Sequence, residues 1–346
     1  MTFIKTVKVY NIRSHEAYDV SFSPNVSIIT GANGSGKTTL LEAVYISLQG
    51  SSFKGSDNDI LRKDQPWWKI DLILDDDQRR VVTFDPKQPS RKKQFDIDGK
   101  KNARLITQYK HPVVLFEPED LRLLNGSPAR RRLFIDRFIS QLNPKYITAL
   151  RAYERALRQR NILLKQQYPQ EDQLFVWNLT LAEHGSYIIE QRLVYIEKIN
   201  STLTNTYQHI AGTEDEVTAE YSHEYKGVIK QKLLQELHTS TTRDTYIGST
   251  SVGPHRHDII FNINNSPALT IASRGEARTI LLALKFIEVS IIEDFTDKKP
   301  IILLDDVFSE LDASRQKLLA TRFTNHQIIM TSATNNAGKS AHVITL

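Results

Sequence analysis

Eight consecutive residues near the N-terminus, Gly31-Ala32-Asn33-Gly34-Ser35-Gly36-Lys37-Thr38, fit the pattern G-x-x-x-x-G-K-[ST]. A glycine-rich loop of this kind leaves successive backbone N–H groups free to surround a polyphosphate. The helix it opens points its positive end at the same charge. In that chemistry Lys37 reaches the β- and γ-phosphates, and the hydroxyl of Thr38, beside Thr39, is a ligand for Mg²⁺. Far downstream, Ile301-Ile302-Leu303-Leu304 ends in Asp305 and Asp306. A buried strand with carboxylates at its C-terminal tip places them where open α/β sheets bind ligands. Asp305 is expected to hold Mg²⁺ through water, and Asp306 to orient or deprotonate an attacking water. Glu310-Leu311-Asp312 follows and is expected beside the site. A third segment, Ser273-Arg274-Gly275-Glu276, opens an apolar helix. Its free N–H groups could bind a γ-phosphate, or Ser273 and Glu276 could form an ordinary capping box. Because the glycine loop already surrounds the phosphates from one side, this second helix end is expected from another copy of the chain, with ATP sandwiched in a dimer.

Those groups need particular elements behind them. Val26-Ser27-Ile28-Ile29-Thr30 reads as a short buried strand, and Leu40 to Ile46 has helical spacing, so the loop sits between strand and helix as the motif requires. Residues 2–10 and 18–22 alternate apolar and polar like paired strands, and 69–75, 80–85 and 93–98 continue as a meander with a turn at Asp98-Gly99. From Pro128 to Gln208 the period becomes helical, with Leu150, Tyr153, Leu157 and Leu164 on one face. No apolar heptad is sustained, so a compact helical lobe is expected in place of a long coiled-coil arm. Strands return near 216–221 and 257–263, a helix over 274–294, and buried strands at 300–304 and 327–331. The organisation expected is an ATPase domain over 1–115, an inserted mainly helical lobe over 116–245, and the rest of the ATPase domain over 246–346. Little chain follows the last strand, so an appended nuclease domain is not expected.

The chain has 346 residues, 40% of them hydrophobic and 25% charged, with no cysteine and a net charge of +5. No apolar run is long enough to cross a bilayer, and the N-terminus lacks a signal-peptide stretch. Without cysteine there is neither disulfide nor thiolate metal site, which suits a reducing cytoplasm. Charge is uneven: Arg130 to Lys165 contains ten Lys/Arg and two acidic residues. That segment is either a solvated helix face or a nucleic-acid surface. The candidate DNA contacts are Arg130, Arg131, Arg132, Arg151, Arg155 and Arg158.

Taken together, these motifs resemble the RecF family, ABC-type P-loop ATPases related to the heads of SMC and Rad50 proteins. The resemblance rests on Asn11-Ile12-Arg13-Ser14-His15, the glycine loop with Leu41-Glu42-Ala43, and Pro118-Glu119-Asp120-Leu121. It continues through Gly126-Ser127-Pro128, Arg131-Arg132-Leu133-Phe134-Ile135-Asp136, Leu157 to Lys165, Gly253-Pro254-His255-Arg256, and Asp305 to Asp312. It implies an α/β ATPase head with an inserted helical lobe, with ATP and Mg²⁺ as cofactors and Arg13 at the nucleotide. It also implies ATP-dependent dimerisation, DNA binding at single- and double-stranded gaps and slow hydrolysis. The partners it implies are RecO, RecR and, indirectly, RecA. An ATP-gated scaffold and a nuclease-linked ATPase are the alternatives, and a transporter subunit is disfavoured by the long gap between loop and signature.

Several positions depart from the pattern. Glu276 replaces the signature glutamine. Asp306 stands where most ABC ATPases have Glu, which implies slow turnover. Ser332, Ala333 and Thr334 occupy the region of the switch histidine. Val114 holds the Q-loop position, with Gln108 the nearest substitute. His257 and Asp258 replace an expected pair of aspartates, and His255 and His257 read as structural.

Overall fold

The computed structural model describes residues 2–166, 170–223, 225, 227–307, 311–332 and 341–346. They form two compact units, Met1–Asp120 with Glu288–Leu346, and Leu121–Ile287.

The first unit contains β1 (Ile4–Ile12), β2 (His15–Ser21), β3 (Val26–Thr30), α1 (Lys37–Gln49), α2 (Asp57–Ile60), β4 (Trp68–Leu74), β5 (Arg79–Phe84), β6 (Lys93–Ile97), β7 (Lys100–Asn102) and β8 (Val113–Phe116). One sheet is antiparallel, in the order β2-β1-β4-β5-β6-β7. Its meander follows the alternation in the sequence, and Asp98 and Gly99, with φ of 48° and 84°, close the β6–β7 hairpin. Two left-handed residues match the twist of the strands they join, which is why Asp-Gly serves there.

The second sheet of this unit is parallel. Two of its strands, β8 and Ile301–Leu304, are continuous apolar runs buried on both faces, as parallel sheets require. α1 packs against strands of both sheets, so Leu40, Leu41, Ala43, Val44, Ile46 and Leu48 are fully enclosed.

The second unit holds α3 (Pro128–Leu142), α4 (Pro144–Leu164), α5 (Glu171–Ala211), β9 (Val217–Tyr221), α6 (Ile229–Thr239), α7 (Thr241–Ile247), β10 (Ile259–Ile263), β11 (Ser266–Pro267) and α8 (Ala268–Ile271). α5 is 41 residues long, yet it packs against α4, α6 and β9 and projects no free coiled-coil arm among the described residues. At Gly185 a Cβ would lie 2.7 Å from a methyl of Leu233, so glycine permits the close approach of α6. β9, β10 and β11 form a small antiparallel sheet. The pairing of β10 with β9 ties residues 259–263 to this unit. The compact units divide after Ile287, whereas the lobe's end expected from the sequence is at 245.

α9 (Arg274–Thr296) carries the chain back to the first unit, which β12 (Ile301–Leu304), α10 (Ala313–Arg322), β13 (Ile328–Ser332) and β14 (His342–Thr345) complete. The parallel sheet then has the order β14-β3-β13-β12-β8. β14 carried no expectation from the sequence; Leu346 just beyond it donates its N–H to the Thr30 carbonyl. No helix among the described residues is long and apolar enough to cross a membrane.

Candidate nucleotide site

In the parallel sheet β13 separates β3 from β12, and all three strands end on the same side. The glycine loop leaves the end of β3 and Asp305 leaves the end of β12. Gly34 and Gly36 take φ of 86° and 97°, a left-handed backbone that other residues adopt only at a cost. A Cβ on Gly36 would also collide with the His15 ring, whose Nε2 lies 3.2 Å from the Gly36 carbonyl oxygen.

Lys37 is buried, and its Nζ donates to the carbonyls of Gly31 (2.8 Å) and Ala32 (3.1 Å). Thr38 Oγ1 donates to Asp305 Oδ1 at 2.7 Å, a contact that joins residues 267 apart in the chain. Thr331, on the intervening strand, donates to the same oxygen at 3.1 Å, and its hydroxyl accepts the Asp306 N–H at 2.8 Å. Asp306 itself has φ of 52°, a strained conformation of the kind that clusters at functional sites.

Arg13 comes from the β1–β2 turn, also at positive φ, 47°. Its guanidinium is held by the fully buried carboxylate of Glu42 on α1, through Nε at 2.8 Å and Nη2 at 3.1 Å. Arg13, Asn33, Gly34, Lys37, Thr38, Thr39 and Asp306 line one cleft of about 540 Å³.

The donor set fits a nucleoside triphosphate with Mg²⁺. A hydroxyl and one carboxylate are hard oxygen ligands, which Mg²⁺ takes in ones and twos together with phosphate oxygens. The Ser35 hydroxyl, at the turn of the loop, is buried with no partner among the described residues. Sequence reasoning missed Lys54, whose Nζ is 3.1 Å from Asp305 Oδ2. A single lysine in a serine- and glycine-rich loop gives no signal of its own.

In the second unit, Ser273 and Arg274 are exposed at the start of α9. Ser273 N–H donates to Glu276 at 2.7 Å, and Glu276 N–H donates to Ser273 Oγ at 3.3 Å, so the capping box is formed. The substituted Glu276 is therefore engaged in closing its own helix.

The candidate DNA residues separate into two groups. Arg151, Arg155 and Arg158 are exposed along one face of α4. Arg131 is buried: it grips Asp258 at 2.8 and 2.7 Å and donates to the carbonyls of Leu124 and Gly126. Arg132 donates to the His257 carbonyl at 2.6 Å, and burial lowers its pKa. Arg130 is half-buried. Arg131 thus leaves the expected DNA face, because a carboxylate 127 residues downstream claims it.

The Gly253-Pro254-His255-Arg256 segment is pinned by its neighbours. Arg192 donates to the Pro254 carbonyl, His255 Nδ1 meets Tyr153 Oη at 2.7 Å, and Arg256 donates to the Thr250 carbonyl. Gln108 is exposed on a short 3₁₀ turn, and Val114 is buried in β8. Asp312 caps α10 by accepting from the Arg315 N–H at 2.9 Å, while Phe308, Ser309, Glu310, Ala333 and Thr334 lie outside the described residues.

The sequence matches the family described as RecF/RecN/SMC N terminal domain over residues 3–345. It is 33% identical over 337 residues to the DNA replication and repair protein RecF of Clostridium perfringens, covering 95% of this chain and 92% of that one. RecF of Streptococcus suis is 34% identical over 338 residues, again covering 95% and 92%. Among solved structures, the recombination mediator protein RecF-ATPrS in the RecFOR pathway superposes with a TM-score of 0.89 at 30% identity, covering 99% of this chain and 96% of that one. An Smc head domain from Pyrococcus furiosus gives 0.51 at 16% identity, covering 97% and 90%, and shares the fold alone. The architecture is the ABC-type ATPase head with an inserted lobe, and the chain belongs to the RecF family.

Proposed function

We propose that this protein is a cytoplasmic, ATP-dependent DNA-binding protein of recombinational repair. It dimerises on ATP, binds gapped single- and double-stranded DNA to help recombinase loading, and hydrolyses ATP slowly. The observation that carries the reading is the hydrogen bond to Asp305 from Thr38, which lines one cleft with Lys37, Arg13 and Asp306. The likeness to a RecF structure described as ATP-bound supports it.

Lys37 is the phosphate-binding cation. Its present partners are neutral carbonyls, so its charge remains available to an anion. Thr38, and Asp305 through water, would hold Mg²⁺, and Mg²⁺·ATP would supply an electrophilic γ-phosphorus. Asp306 orients the attacking water. Its carboxylate is one methylene shorter than the usual glutamate, which supports slow turnover. Arg13, fixed by Glu42, adds positive charge at the phosphates.

Ser273, Arg274 and Gly275 act in trans, closing a second copy over the γ-phosphate. DNA meets the exposed Arg151, Arg155 and Arg158 through its phosphates, with little sequence preference. Partners related to RecO and RecR, and through them RecA, follow from the pathway named for the solved relative.

Fluorescence anisotropy of a gapped duplex, titrated with protein alone, with ADP and with ATP, tests the switch. Tighter binding with ATP alone is expected, and equal binding in all three states sinks it. Ser273→Arg is expected to keep ATP binding and lose ATP-induced dimers in light scattering. Dimers that persist overturn the trans assignment.

A further inference from the structure

The two oxygens of Asp305 are divided between two kinds of partner. Oδ1 accepts from the hydroxyls of Thr38 and Thr331, at 2.7 and 3.1 Å. Oδ2 faces the ammonium of Lys54 at 3.1 Å, with the carboxylate 2% exposed and the lysine side chain 34% exposed.

The loop that carries Lys54 is braced for this contact. Ser52 Oγ accepts the N–H groups of Lys54 (2.8 Å) and Gly55 (3.1 Å) and donates to Glu42 Oε1. The same buried Glu42 holds Arg13. One carboxylate on α1 thus positions both a cation of the nucleotide cleft and the loop that delivers a second cation to Asp305.

An ammonium on this carboxylate is a like charge to any metal ion that Asp305 and Thr38 bind. At a few ångströms and the water-like dielectric of an ammonium that reaches solvent, such repulsion changes an affinity by about three- to tenfold. Lysine is suited to yielding its place. Its head is a compact, strongly hydrated charge on a flexible stem, and this one already reaches solvent.

We propose that Lys54 is a positioning residue that competes with the divalent metal for Asp305. It holds the carboxylate in register with Thr38 and makes metal loading a displacement. Lys54 thereby sets the metal concentration at which the nucleotide site is completed. The proposal rests on the Mg²⁺·ATP reading of the site given above.

The test is a titration of Mn²⁺ into the full chain carrying a non-hydrolysable ATP analogue, with free Mn²⁺ read by electron paramagnetic resonance. Lys54→Met is expected to tighten Mn²⁺ binding about three- to tenfold, and Lys54→Arg, which keeps the charge, to stay within about twofold of the parent. A residue that only supported the loop would weaken metal binding when lost. Unchanged or weaker binding in Lys54→Met, or equal tightening in Lys54→Arg, therefore overturns the competition. Thr38→Ala separates the two layers of the argument. If it leaves Mn²⁺ binding unchanged, the metal reading of the site falls and the competition falls with it.

Discussion

In the first unit, Arg13 and Lys37 line an open cleft, and Lys37 donates to two neutral carbonyls while forming no ion pair with any described residue. In the second unit, Arg131, Arg160 and Arg192 are 6%, 0% and 2% exposed, and each is matched to a carboxylate: Asp258, Asp244 and Asp136. Arg160 shows how complete that matching is. It donates to Asn178 at 2.7 Å, Asp244 at 2.7 Å, Thr250 at 2.8 Å and the Leu237 carbonyl at 3.0 Å. A fully buried cation matched to its own carboxylate, with no cleft beside it, is fixed and neutralised, so it serves the fold; Arg13, a third exposed at the cleft, is held by Glu42 but still faces it. A cation held by carbonyls keeps its charge for an anionic ligand. Lys37 and the buried arginines of the second unit thus have different tasks, although composition gives them the same weight.

The contrast breaks if the cleft cation turns out to stabilise and the buried ones turn out to bind. Lys37→Ala is expected to lower nucleotide affinity by about 100-fold or more, since it removes charge-assisted hydrogen bonds to phosphate. Its denaturation midpoint should stay close to the parent's. Arg160→Ala should do the reverse. Removing one partner of a fully buried ion pair leaves the other charge uncompensated, at a cost of about 3–5 kcal/mol. Chemical denaturation of both variants beside nucleotide titration checks the pair. An Arg160→Ala protein of parental stability would remove the basis for the comparison.

Acid sharpens it at smaller amplitude. Burial pushes the His255 imidazole down to about 4 and that of His257 down to about 3. Both are neutral in the fold and have ordinary values near 6.5 when unfolded. Their contribution to stability is full above about pH 6.5 and is lost as pH falls toward the folded values, because the unfolded chain takes up protons first. Between pH 7 and 5 the loss should be of order 1–2 kcal/mol for each imidazole. His255→Gln is expected to flatten that slope in denaturation curves recorded across the range. An unchanged slope counts against a neutral, buried His255.

How much of this was legible in the sequence depends on how local the signal is. The glycine loop, the strand before it and Asp305-Asp306 are each contiguous, and the parallel order of β3, β13 and β12 brings them together as their spacing implied. The meander and its Asp98-Gly99 turn are likewise local. Arg131 was misread as a surface residue because its partner, Asp258, carries no mark of the pairing in the intervening chain. Lys54 was missed for the same reason, as its partner is Asp305. β14 is only four residues long and lies parallel to β3, a pairing with no hairpin turn to announce it. The second unit takes in residues 259–263 because of a strand pair, β9 with β10, that periodicity alone cannot join.

The smallest expected effect bears on the arginines that stay outside. Arg151, Arg155 and Arg158 are exposed and share one face of α4, at spacings of four and three residues. If they contact DNA phosphates, each alanine substitution should weaken ATP-dependent binding modestly and for all sequences alike. It should also reduce the slope of log affinity against log salt by about one. Arg131→Ala is the internal control. It removes an equal charge a short distance along the chain, but from a buried pair, so stability should fall while the salt slope of the folded protein stays put. A salt slope that responds to Arg131 and ignores Arg155 would invert the assignment, making the buried arginines the binding ones and the exposed face of α4 a solvated surface.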